Sequence, residues 1–148
     1  MADRSSSRRL VEAYARAFAE GFEAQSEFLH QDVIEEFPQS GERFSGRDRR
    51  LEMLKAWPQV DRMRAEMPTL VGSEDQWVLM PTFSPLRVIG TGDEYTGVGT
   101  VTYPNGEVWQ LVQLLRLREG KIAHITSYFA APFEAAAWRA PYREAPTS

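Results

Sequence analysis

Near the start of the chain, Leu10, Tyr14, Phe18 and Phe22 recur every four residues, with Arg9, Glu12, Arg16, Glu20 and Glu23 between them. That spacing stacks the apolar side chains on one face, so the stretch predicts a single amphipathic helix. The Ser/Arg-rich residues 1–7 lack the stripe and are expected to fray. "EAQSEFLH" predicts a short second helix carrying Phe28 and Leu29. Asp32 then opens an extended stretch that Pro38 ends, and strand alternation puts Val33, Glu35 and Phe37 on a common face. A turn follows at Ser40-Gly41-Glu42-Arg43. Gly46-Arg47-Asp48 begins a third helix, in which Leu51, Met53, Leu54 and Trp57 keep helical spacing until Pro58 stops it.

From about Met63 onward the period shortens to two. "QWVLMPTF", "LRVIG", "YTGVGTVTY", "EVWQLVQLLRL" and "KIAHITSYF" read as strands with turn residues between them. Asn105-Gly106 predicts a tight hairpin, and "LREGKI" a second. Helices first and antiparallel strands afterwards predict an α+β fold, its helices packed on one face of a strongly curved sheet. The tail "APFEAAAWRAPYREAPTS" sets Phe133, Trp138 and Tyr142 among Ala and Pro, and residues 132–148 are expected to form a strap across the outside. With 148 residues, no internal repeat and no linker, the whole of 1–148 is expected to be one domain.

Composition narrows the function classes. A 43% hydrophobic, 26% charged chain can bury a sizeable core. Its net charge of -4 is spread evenly, so no basic stripe points to nucleic acid. Without cysteine, disulfide and thiolate chemistry are excluded, and two histidines, His30 and His124, argue against a protein-held metal. The opening "MADRSSSRRL" lacks the apolar core of a signal peptide, and no long apolar run follows, so neither a membrane span nor export is expected. The expected compartment is the cytoplasm.

Two passages, "FLHQDVIEEFPQSGERFSGRDRRLEML" and "LRLREGKIAHITSYF", resemble the nuclear transport factor 2-like superfamily, which includes ketosteroid isomerases, SnoaL-type polyketide cyclases and scytalone dehydratase. The order of elements matches over roughly residues 8 to 131. The resemblance implies a cone-shaped, cystatin-like α+β barrel. In it, about three N-terminal helices and a curved, mostly antiparallel sheet enclose a blind, apolar pocket. It also implies a homodimer through the outer sheet face, where Val108, Val112 and Leu114 would lie.

Carried over from ketosteroid isomerases, the oxyanion-donating tyrosine corresponds to Tyr14, and the aspartic acid that assists it corresponds to Gln113. The general-base position, just before the strand-ending proline, holds Phe37, so a literal ketosteroid isomerase is not expected. Parity offers Glu35 as a replacement. Surrounded by apolar side chains its carboxyl group would lose hydration, which raises a carboxylic acid towards neutral pKa and suits it to general acid–base work. The alternatives are a solvated Glu35, or one paired with an arginine such as Arg16 or Arg43. The resemblance places Ile125, Ser127 and Phe129 inward, so His124, which alternates with them, is expected to face outward. Val33, Phe37, Met53, Leu54, Trp57, Trp109, Leu111, Ile125 and Phe129 are the expected pocket wall.

Two functions follow as expectations. One is a cofactor-independent isomerase, dehydratase or cyclase, moving a proton on a small apolar or cyclic carbonyl compound through Glu35, Tyr14 and Gln113, without metal. The other is a non-catalytic module of the same fold that binds a small hydrophobic molecule or dimerises.

Overall fold

The computed structural model describes residues 4–72, 77–79, 85–87 and 92–145. The elements are α1 (Arg4–Ala17), α2 (Phe22–Ser26), β1 (Leu29–Phe37), β2 (Glu42–Ser45), α3 (Arg47–Lys55), β3 (Arg64–Gly72), β4 (Trp77–Leu79), β5 (Pro85–Arg87), β6 (Glu94–Thr102), β7 (Val108–Arg118) and β8 (Lys121–Ala130). Short 3-10 helices occupy Val60–Arg62 and Ala137–Tyr142. Six strands form one sheet in the order β2-β1-β8-β7-β6-β3, and β4 pairs with β5 apart from it. Within the large sheet β1 runs parallel to β8, and every other pair is antiparallel.

The architecture is the expected α+β cone, with α1 lying against β3 and β8 and α3 against β1. One face of each strand turns inward. Tyr95 and Val101 of β6, Leu111, Leu115 and Leu117 of β7, and Ile122 and Ile125 of β8 meet Val11, Tyr14 and Phe18 of α1 in the core. On α1 the inward residues follow the expected stripe, but the helix already begins at Arg4, within the start expected to fray, and Ser7 is buried.

Three boundaries differ from expectation. The helical stripe that began at Leu10 breaks at Gly21, whose φ of 121° turns the chain so that Phe22 starts α2. That second helix is shorter than expected and β1 starts earlier, at Leu29. Leu29 is fully buried, and the Phe28 carbonyl accepts from Ile122 N–H at 3.0 Å, which extends the β1/β8 ladder back over residues expected to be helical. Glu42–Ser45, expected as a turn and its exit, is strand β2, anchored by Phe44 packing on Phe37 with ring centroids 5.3 Å apart. The strands expected at "QWVLMPTF" and "LRVIG" lie largely outside the described residues. Their described parts pair as β4 and β5.

The inward faces of β6 carry Gly97 and Gly99. A register shift between Glu66 and Thr69 of β3 brings that strand over them. A Cβ at Gly99 would sit 1.8 Å from the Glu66 carbonyl oxygen, which is backbone and cannot rotate away. Gly99→Ala is therefore expected to cost at least about 1–3 kcal/mol of unfolding free energy by urea titration, the range for overpacking. A cost below 0.5 kcal/mol would show that the close approach is not structural.

Candidate functional site

Glu35 and Arg50 form the buried centre of the molecule. Strand alternation turns Glu35 of β1 inward with Val33, and on α3 Arg50, which shares a helix face with Leu54, brings its guanidinium over it. Arg50 Nε donates to Glu35 Oε1 at 2.7 Å, with both side chains 2% exposed. The hydration that a carboxyl group loses here is thus replaced by a charge. Arg43 pairs instead with Glu36, at 3.4 Å, and Arg16 is exposed.

A relay of donors converges on the same carboxylate. Tyr14 Oη donates to Gln113 Oε1 at 2.8 Å, Gln113 Nε2 to Ser127 Oγ at 2.9 Å, and Ser127 Oγ to Glu35 Oε2 at 2.6 Å. All four side chains are buried, and they come from α1, β7, β8 and β1. Gln113 and Ser127 are directly opposed in the β7/β8 register, and Glu35 and Ile125 in the β1/β8 register, so the sheet itself sets the order. Hydrogen bonds that all point one way polarise each other, and here the charge at the end draws them.

Charge and burial act on the ends of the relay in different ways. Burial pushes the Tyr14 phenol well above its ordinary pKa, against a smaller opposing pull from Arg50, so it stays a donor. Desolvation is the largest single influence and works against the Arg50 charge, but Glu35 and Tyr14 together outweigh it and hold the guanidinium above its ordinary pKa. Arg50 Nη1 is buried without a hydrogen-bond partner.

The raised Tyr14 pKa has a testable sign. Above pH 10.0, the ordinary value, the unfolded phenol loses its proton while the folded one keeps it. Stability contributed by Tyr14 is therefore complete below pH 10 and is lost as pH rises beyond it, at up to about 1.4 kcal/mol per pH unit. Urea titrations from pH 8 to 11 are expected to show this fall, and Tyr14→Phe to show a shallower one. Equal slopes would place the Tyr14 phenol in contact with solvent.

A cavity of about 420 Å³ opens onto this centre. Glu35, Arg50 and Gln113 form its polar side, and most of the rest is aromatic or aliphatic. Trp57 stacks on Phe22 at 6.2 Å and meets Phe129 edge-on at 5.9 Å, while Phe129 meets Phe37 edge-on at 5.8 Å. Of the residues expected on the wall, Phe37, Met53, Leu54, Trp57, Trp109, Leu111 and Phe129 line it. Val33 and Ile125 do not. Both are fully buried in the core, deeper along their strands than the cavity reaches. Tyr14 also lies off the wall, behind Gln113, because α1 packs on the core end of the sheet. His124 turns away from the relay towards Glu36, its Nε2 3.6 Å from the carboxylate.

Arg50, Ser127 and the lining residues Phe18, Phe22, Val101 and Tyr103 were not expected in the site. Arg50 carried a usable signal, the helical spacing to Leu54 and Trp57, yet Arg47 and Arg49 beside it have the same composition and point to solvent or its edge. Among the described residues no group of three His, Asp or Glu side chains converges as metal ligands, and no helix is long and apolar enough to cross a membrane.

The SnoaL-like domain family matches residues 8–125 of the chain. No curated protein matches it. Among solved structures it is similar to an NTF2-like protein of unknown function from Burkholderia xenovorans, 26% identical, with 97% of each chain covered and a TM-score of 0.65. It is also similar to a ketosteroid isomerase candidate from Kribbella flavida, 18% identical, covering 97% of this chain and 92% of that one at a TM-score of 0.71. A polyketide cyclase candidate from Xanthomonas campestris is 22% identical over 86% and 92% of the two chains, at 0.59. At these last two identities the likeness is one of fold.

Proposed function

The chain belongs to the SnoaL-like domain family, within the nuclear transport factor 2-like superfamily, and from that premise we propose that it is a cofactor-free enzyme moving a proton on a small, mostly apolar carbonyl compound. The observation that carries this reading is the Glu35–Arg50 pair, 2% exposed on both sides and set at the edge of an apolar cavity. Burying such a pair is costly, and apolar residues of similar volume are often as stable or more so. A hollow built only to hold a hydrophobic molecule gains nothing from it.

The chemistry runs as a carbon-acid proton transfer. The substrate carbonyl oxygen lies towards the guanidinium, and Glu35 takes a proton from the carbon next to the carbonyl. The electron pair released moves onto the oxygen, where Arg50 holds the enolate charge. Glu35 then returns its proton to another carbon, completing an isomerisation, or to a departing hydroxyl, completing a dehydration. Gln113 spends both ends of its amide on Tyr14 and Ser127, so the oxyanion-donor role that the resemblance assigned to Tyr14 and Gln113 passes to Arg50. Tyr14, Gln113 and Ser127 position the carboxylate. The protein works in the cytoplasm as a homodimer joined through its outer sheet face.

A second reading, the non-catalytic binding module, is favoured by one observation. Both Glu35 oxygens are already engaged, and Phe37 stands where related isomerases keep their base. Hydrogen–deuterium exchange at the α-carbons of small cyclic ketones, followed by NMR in D₂O, separates the two. Exchange above the buffer rate is expected. Ketones that shift protein resonances on binding and yet exchange only at the buffer rate would establish the binding module instead.

A further inference from the structure

Among the described residues, two apolar surfaces stay uncovered on the single chain. The first is the segment after β8. It leaves the sheet at Ala130 and carries Phe133, Trp138 and Tyr142, which are 83%, 72% and 84% exposed. Arg139 lies over the Trp138 ring at 5.5 Å. The second is the outer face of the sheet, where two register rows cross four strands. Thr69, Val98, Val112 and Tyr128 form one row, and Val71, Thr96, Leu114 and Thr126 the next. No charged residue interrupts either. Glu36 of β1 ends the second row beside Thr126, and one row further out Arg116 pairs with Glu94 at 3.2 Å. Val71, Val98, Leu114 and Tyr128 are exposed.

We infer that residues 131–142 form an arm, and that the arm of each protomer lies on the outer sheet face of the other in a two-fold dimer. This rests on the sheet-face dimer proposed above and adds what completes it. Arm and face are exposed together in one chain, so they do not cover each other within it. A second copy presents the same pair of surfaces, and a reciprocal contact between them closes on itself rather than propagating. Reach is sufficient, since an extended chain spans about 3.3 Å per residue while neighbouring strands are only about 4.8 Å apart. The area also fits. At roughly 150–250 Å² per aromatic side chain, the six rings of two arms remove on the order of 1,000 Å² from water. A stable interface needs about 1,200–2,000 Å², and the uncharged rows supply the remainder.

Sedimentation equilibrium of the full chain tests the arm separately from the dimer. The parent is expected to dimerise, and the triple variant Phe133→Ser, Trp138→Ser, Tyr142→Ser to weaken association by about 100-fold or more, with near-UV circular dichroism showing the fold intact. The double variant Val98→Asp, Leu114→Asp is expected to be monomeric. A triple variant that associates as tightly as the parent, while the double variant does not associate, would overturn the arm and leave the sheet-face dimer standing. A parent that stays monomeric at about 100 µM would overturn both.

Discussion

Arg50→Met is expected to cost about 3–5 kcal/mol of stability, the penalty for removing one partner of a buried ion pair. Met fills similar volume and adapts to irregular space, so little of the loss should come from a void. The loss comes from Glu35, left 2% exposed with its Oε1 acceptor unpaired, although Ser127 still donates to Oε2. Adding Glu35→Leu to Arg50→Met is expected to recover most of the stability, because the buried charge disappears with its unmet requirement. Urea unfolding of parent, both single variants and the double variant closes this cycle, and the coupling between the two sites should exceed 2 kcal/mol. A double variant no more stable than Arg50→Met would mean that the guanidinium matters through its packing on α3 and not through its charge.

Glu35→Gln is expected to lower ketone α-hydrogen exchange by about 10²–10⁴-fold, the usual worth of a positioned acid–base group. Gln keeps the shape and can still accept from Arg50, but it cannot take a proton from carbon. Since this variant leaves Arg50 charged, exchange should be compared where the amide spectrum shows the protein folded. Ser127→Ala provides the contrast. It removes one donor to Oε2 without removing the carboxylate, so a loss of about tenfold in rate, with unchanged ketone affinity, is the signature of a positioning residue. Exchange by Glu35→Gln at the parent rate would exclude Glu35 as the base.

Much of this site was legible because strand parity is rigid. Once β1 contained Val33, Glu35 and Phe37, a period of two allowed Glu35 only one side of the sheet, while it was the resemblance that placed Gln113 and Ser127 inward. Helix faces were less legible. Arg47, Asp48, Arg49 and Arg50 differ little as text, and only the docking of α3 on β1 decides that Arg50 turns in. The misplaced wall residues, Val33 and Ile125, show a related difficulty. Sequence tells which face a residue is on, whereas its depth along the cone depends on how far α1 covers the sheet. Strand β2 was missed because its anchoring contact, Phe44 on Phe37, crosses a turn rich in polar residues.

The parallel pairing of β1 with β8 also governs the order in which the protein can be made. Arg50 is 15 positions from Glu35, but Ser127 is 92 positions away, and the relay closes only when the last strand of the sheet arrives. Chains of this topology fold slowly, since the entropy of closing so long a loop is spent before the contacts that reward it form. On a ribosome, synthesis runs from the N-terminus, so the carboxylate and its arginine emerge while the strand that covers them is still being translated. A nascent chain halted before residue 121 contains both charged residues but not the strand that seals them. The charged centre of the site is thus also where an unfinished chain is most open to water.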